Sequence, residues 1–154
     1  MKWLLPCVLL AGCHAPPPPP PSVADLRFPV VVLFGESSVV AYPDATALST
    51  MRIGNLNTIT GPPPLIDSQF AVYRLTKLGS THNDLWLMMH PTGSTPVTFT
   101  LERAPQSGLE AARALLGHYL ETQTWRRDLE QKRRALAAER TLPGMLTIVQ
   151  GEDK

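Results

Sequence analysis

Cysteine is nearly absent from this chain: two residues in 154, Cys7 and Cys13, both at the extreme N-terminus. Everything after position 13 lacks a thiol, which excludes disulfide staples and thiolate zinc sites and leaves packing as the source of stability. Long apolar runs are missing too; the stretch near the start falls far short of the roughly 20 residues that a membrane-crossing helix requires. Charge of one sign is also lacking, with 14 Lys plus Arg against 13 Asp plus Glu. No global field draws in nucleic acid or an anionic substrate. Catalytic fingerprints are equally scarce. Gly35-Glu36-Ser37-Ser38-Val39 lacks the glycine spacing of a nucleophile elbow. The chain has no phosphate-cradling loop, no dinucleotide fingerprint and no zinc-protease helix. The expectation is a protein that is not an enzyme, with no cofactor, no metal and no evident small-molecule substrate.

The N-terminus carries the strongest signal. Met1-Lys2 is a positive start, residues 3–10 are apolar except for Pro6, and small residues then lead to Cys13. Charge, apolar stretch and small-residue cleavage site in that order form a secretory signal. Leu10-Ala11-Gly12-Cys13 resembles the lipobox of bacterial lipoproteins. The resemblance covers residues 1–13 and implies that residues 1–12 are removed as a signal peptide. Cys13 is then acylated, with palmitate-type chains, and becomes the new N-terminus. An ordinary secretory signal would leave Cys13 without an intramolecular partner, because Cys7 departs with the leader. Two or three acyl chains, at about 0.8 kcal/mol per buried methylene, anchor a protein essentially permanently. In lipoproteins of enteric bacteria an aspartate after the cysteine favours the inner membrane; here the residue is His14, which by the same resemblance directs the protein to the outer membrane.

Residues 16–21 are six consecutive prolines. Each ring fixes φ and removes a backbone donor, so the run joins neither helix nor sheet. It predicts a polyproline rod of about 3.1 Å per residue, roughly 19 Å in all. Residues 13–25 thus read as a lipidated cysteine and a tether that stands the domain off the lipid surface.

Past the tether, about 130 residues suffice for one domain with a real core but not for two. The expected fold class is α+β: a small, largely antiparallel sheet over residues 26–104, one long C-terminal helix over 105–142, and a tail over 143–154. Residues 28–34 form a β-branched apolar run, with residues 37–42 as hairpin partner across Gly35-Glu36. Pro43 and Asp44 open a short helix. Gly61-Pro62-Pro63-Pro64 is a break. Residues 69–75 alternate, with Phe70, Val72 and Arg74 on one side and Ala71, Tyr73 and Leu75 on the other. The alternation in residues 84–90 and 96–101 predicts a second hairpin across Pro91-Thr92-Gly93-Ser94. Ser107 with Glu110 matches a capping box. Residues 108–140 then read as one helix of about 50 Å, with Leu115, Tyr119, Thr122, Trp125, Leu129 and Leu136 on a stripe that Lys132 completes. Pro143-Gly144 stops it, and residues 145–149 are apolar enough to add a strand or dock.

Two clusters are candidates for function. Trp125, Arg126, Arg127, Lys132, Arg133 and Arg134 lie along the long helix and suit docking onto a partner protein or anionic headgroups; the plain alternative is a solvated face with a Glu130–Arg134 ion pair. His82-Asn83-Asp84, with His90, places imidazoles near a carboxylate, an arrangement more common in turns than in metal or general-base sites. The reading is therefore an outer-membrane-anchored periplasmic lipoprotein that acts as a binding or assembly component of an envelope machine of secretion, conjugation or pilus type. The rivals are an inhibitor or immunity lipoprotein that captures an enzyme, and a cell-wall-active enzyme using His82, Asp84 and His90. Nucleic acid is not expected as a partner.

Overall fold

The computed structural model describes residues 18–36, 38–123 and 128–151. Cys13, His14, Trp125, Arg126 and Arg127 lie outside the described residues, as do Ser37 and the last three positions.

The fold is α+β, as the sequence predicts: the described residues form six antiparallel strands, six α-helices and one short 3-10 turn. The strands are β1 (Val30–Phe34), β2 (Ser38–Tyr42), β3 (Thr50–Arg52), β4 (Pro64–Ile66), β5 (Val72–Ser80) and β6 (Ser94–Arg103). They form one sheet in the order β2-β1-β4-β5-β6-β3. The β1–β2 hairpin is the expected one, turning at Gly35-Glu36 with Val30 opposite Tyr42 and Phe34 opposite Ser38. Gly35 takes φ +57, the left-handed conformation that glycine adopts without steric penalty.

All five residues of β1 are buried, because both faces of the sheet are covered. Val31 and Leu33 point with Val39, Ile66 and Val72 into a core shared with the C-terminal helices. Val30, Val32 and Phe34 point the other way, with Leu65, Tyr73, Leu75, Val97 and Leu101, into a core that Leu26, Leu48 and Met51 close. This two-sided burial explains an uninterrupted apolar run in an antiparallel strand. On the inner side, α1 (Ala45–Leu48) is capped by Asp44, whose Oδ1 accepts from the Ala47 N–H at 2.8 Å. The next helix, α2 (Ile53–Leu56), supplies Asn55, whose Oδ1 accepts from the Ser38 hydroxyl at 3.2 Å. That bond ties the β2 edge to the segment leaving β3.

Four expectations are corrected. Residues 84–90 are not a strand: they include α3 (Asp84–Met89), inserted between β5 and β6. The partner of β6 is β5, paired from Tyr73↔Arg103 to Ser80↔Val97 with an irregularity between Thr76 and Gly79. Leucine, methionine and a capping asparagine outweigh a period-2 pattern too short to exclude a helix.

The single long helix is also not present. The chain forms α4 (Leu109–Thr122), α5 (Leu129–Ala138) and α6 (Leu142–Gln150), packed on one another. Gln123 leaves helical geometry at φ −84, ψ 60, and its Nε2 donates to the Glu36 carbonyl at 2.8 Å. Ser107 does not cap α4; its hydroxyl accepts from the Val72 N–H at 2.9 Å and fastens the connection to β5. Pro143 opens a helix rather than ending one. It sits in the first turn of α6, where its missing donor costs nothing, behind a Thr141 cap that accepts from the Gly144 N–H at 3.2 Å. Leu142, Met145 and Val149 then bury one face of α6, so the apolar tail docks as a helix.

A candidate docking tip

Helix α3 begins at Asn83, whose side chain accepts from the Trp86 N–H at 2.9 Å. Its root is pinned by a buried polar cluster. The Thr95 hydroxyl is fully buried, lies 2.7 Å from Ser80 Oγ and 2.8 Å from His82 Nδ1, and donates to the Pro96 carbonyl. On the far side, the Gly93 N–H donates to the His90 carbonyl at 3.0 Å, and the Ile53 N–H donates to the Gly93 carbonyl at 3.0 Å. Both ends of the insertion are therefore hydrogen-bonded to the sheet.

Three rings form a column along it. His82 stacks on Trp86 at 3.9 Å between centroids with 15° between planes, and Trp86 stacks on His90 at 4.3 Å and 20°. Four residues separate each histidine from Trp86: His82 precedes the Asn83 cap and His90 follows Met89, so the column runs across both ends of the helix. His90 Nδ1 donates to the Trp86 carbonyl at 2.9 Å, since a carbonyl only accepts. The two histidines of the sequence-predicted cluster are thus brought together, but as stacking partners of Trp86. No hydrogen bond joins Asp84 to either imidazole among the described contacts. Among the described residues, no group of three His, Cys, Asp or Glu side chains is placed to hold a metal.

The outward side of α3 is apolar. Leu85 is 66% exposed, Met88 78% and Met89 70%, and they are the only large hydrophobic side chains so exposed among the described residues. Concentration of all three on a six-residue helix is unlike the single scattered exposures of an ordinary surface. The spacing Leu85, Met88, Met89 was available in the sequence as an i, i+3, i+4 stripe, and His82, Trp86, His90 as an i, i+4 ladder.

The basic cluster has a different character. Lys132 lies 3.3 Å from Asp128 and is largely covered, while Arg133 bridges Glu121 of α4 at 2.7 Å and Glu130 of α5 at 2.9 Å. These carboxylates hold Arg133 above its ordinary range, the Glu130 hydrogen bond first. Arg133, not Arg134, is the partner of Glu130, and its charge couples two helices. Arg134 is exposed.

A cavity of about 410 Å³ opens between β5 and α4, lined by Val72, Arg74, Ala104, Ala111, Leu115 and His118. A second, of about 200 Å³, continues past Pro64, Leu115 and His118 toward Glu36. Small alanines on α4 leave this groove open. Among the described residues, no helix is long and apolar enough to cross a membrane. The chain matches no protein family, no curated protein and no solved structure.

Proposed function

We propose that the chain is a lipoprotein held in the outer membrane by acyl groups on Cys13, with its domain in the periplasm as a non-enzymatic binding or assembly component of an envelope machine of secretion, conjugation or pilus type. The observation that carries this reading is Leu10-Ala11-Gly12-Cys13 behind a charged and apolar start, followed directly by six prolines. A chain of that composition sets how far an anchored domain can reach from its lipid. The exposed apolar tip on α3 supports contact with a further surface, protein or lipid, because a solvated protein keeps such a patch only where something covers it. The stacked His82-Trp86-His90 column supports the same role, since it stiffens a surface without bringing a base to a carboxylate.

Metabolic labelling with a fatty acid tests the anchor. The native chain is expected to incorporate label and partition with outer membranes, and Cys13→Ser to do neither. Equal labelling of both would overturn the anchor. Cross-linking in intact cells, with purification through a C-terminal tag, tests the assembly role. Several envelope-machine subunits are the expected catch. A single soluble enzyme in one-to-one complex would instead make this an inhibitor or immunity lipoprotein.

A further inference from the structure

The apolar tip and the tether lie at opposite ends of the sheet. The chain arrives from residue 18 through a short turn at Val23–Asp25, and the Arg27 carbonyl accepts from the Ser68 N–H at 2.9 Å, in the turn that joins β4 to β5. Asp25 is close enough to Arg103 for the guanidinium to help stabilise its carboxylate. Both contacts mark the end where β5 starts and β6 finishes. Helix α3 hangs from the other end, where Ser80 pairs with Val97. The nine residues of β5 span about 30 Å. Ten residues, the number from Cys13 to Ser22, would reach about 30 Å if drawn out as polyproline.

From this arrangement we infer that α3 is a lipid-inserting wedge: Leu85, Met88 and Met89 enter the outer edge of the hydrocarbon, with Trp86 at headgroup level, giving the anchored domain a second foothold on the bilayer that holds its acyl chains. This rests on the lipoprotein reading above.

Three observations favour a bilayer over a protein. Leu85, Leu87, Met88 and Met89 present no side-chain hydrogen-bonding group to a partner. A six-residue helix is also too small to supply the roughly 1,000 Å² that a specific protein interface or a second copy needs. Around the apex Thr81, Asn83, Thr92 and Ser94 are exposed, uncharged and polar, beside exposed Asp84, His90 and Pro91, a border that suits the headgroup zone. Asp84 is the helix's one charge, and Arg52 of β3, paired with Ser94, is a cation at the base. Insertion is therefore driven by apolar burial and not by attraction to anionic lipid.

Reach completes the case. A tether of about 30 Å lets a domain of similar length lie along the leaflet or fold back onto it. A wedge of three side chains is weak alone. Confined beside the membrane by an anchor, it binds at an effective concentration of about millimolar.

The test uses the acylated protein, which has lost Trp3 with residues 1–12, carrying Trp125→Phe so that Trp86 is the sole tryptophan. It is reconstituted in phosphatidylcholine vesicles whose lipids carry bromine near the top of the acyl chains. Quenching of Trp86 emission is expected, unchanged by added salt or by anionic lipid. Leu85→Gln, Met88→Gln and Met89→Gln together should abolish it while the protein still floats with the vesicles and melts as before. A native tip that floats without quenching overturns the wedge and leaves a protein groove as the occupant of α3. Protein that does not float at all overturns the anchor alone. Coupled through Cys13 to a maleimide lipid in preformed vesicles, that same protein then decides the wedge: quenching supports it, and none overturns it.

Discussion

Tyr42 shows how one side chain records the closure of the sheet. Its ring is buried between β2 and the inner core, and burial pushes the phenol up to about 12, with the Asn55 hydrogen bond pulling the other way. Because the folded value exceeds the unfolded one, the folded chain holds a proton that the unfolded chain releases near pH 10. The corresponding stability, about 3 kcal/mol, is complete below pH 10 and lost as pH rises toward 12. Burial also raises the Tyr73 phenol; ultraviolet titration should find Tyr42 ionising late, and Tyr42→Phe should remove its step and lessen the alkaline loss of stability. Ordinary ionisation of all three tyrosines would mean that the β2 edge is open to water. Arg113 is a second residue whose role only the fold reveals. One guanidinium nitrogen pairs with Glu110 at 2.6 Å and another donates to the Glu139 carbonyl at 2.6 Å, while Nε is buried without a hydrogen-bond partner. Its sequence position suggests only a helix-surface ion pair; its actual task is to clamp the junction between α5 and α6.

That junction decides how the C-terminal elements are arranged. Glu139 leaves the helix in an extended conformation and its Oε1 accepts from the N–H groups of Arg140 and Thr141 and from the Thr141 hydroxyl. The Thr141 bonds, side chain first, hold the carboxyl below its ordinary range. The stabilisation is present above that range and lost as pH falls through it. Gly144 faces the same carboxylate so closely that any Cβ would displace it. Gly144→Ala is therefore expected to lower the melting temperature near neutral pH and to bring the Glu139 titration, followed by NMR, back up toward an ordinary glutamate. An unchanged titration would show that the carboxylate is not held by the junction. Elements with a local signature were legible: the β1–β2 hairpin from its β-branched run and Gly35, α1 from Asp44, and β6 from its alternation. Elements defined by competition were not. Residues 84–90 satisfy period 2 and helical spacing alike, and Asn83 decides between them. Residues 108–140 carry a plausible continuous stripe that is broken where Gln123 finds the Glu36 carbonyl. Pro143-Gly144 reads equally as a stop or a start, and Thr141 settles it as a start. The tip was hidden because its stripe was divided between two faces of an imagined strand.

Across the whole molecule, one sheet separates two cores, and β1, β4 and β5 contribute to both. Neither core can melt without stripping the shared strands of half their burial. Leu65→Ala on the inner side and Leu116→Ala on the helical side, both at fully buried positions, should each cost about 2–5 kcal/mol. Either variant should shift a single cooperative transition. Two separable transitions in either one would show that the helical layer is an independent unit. The placement of the two ends of the sheet also has a mechanical consequence. Tension between the incoming chain at residue 18 and a grip on α3 runs along β1, β4 and β5, because these strands carry the molecule from one end to the other. Their hydrogen bonds lie perpendicular to that pull. All rungs are then strained together in shear, where force applied to both strands at the same end would open them one at a time like a zip. The domain is built to resist being drawn out lengthwise.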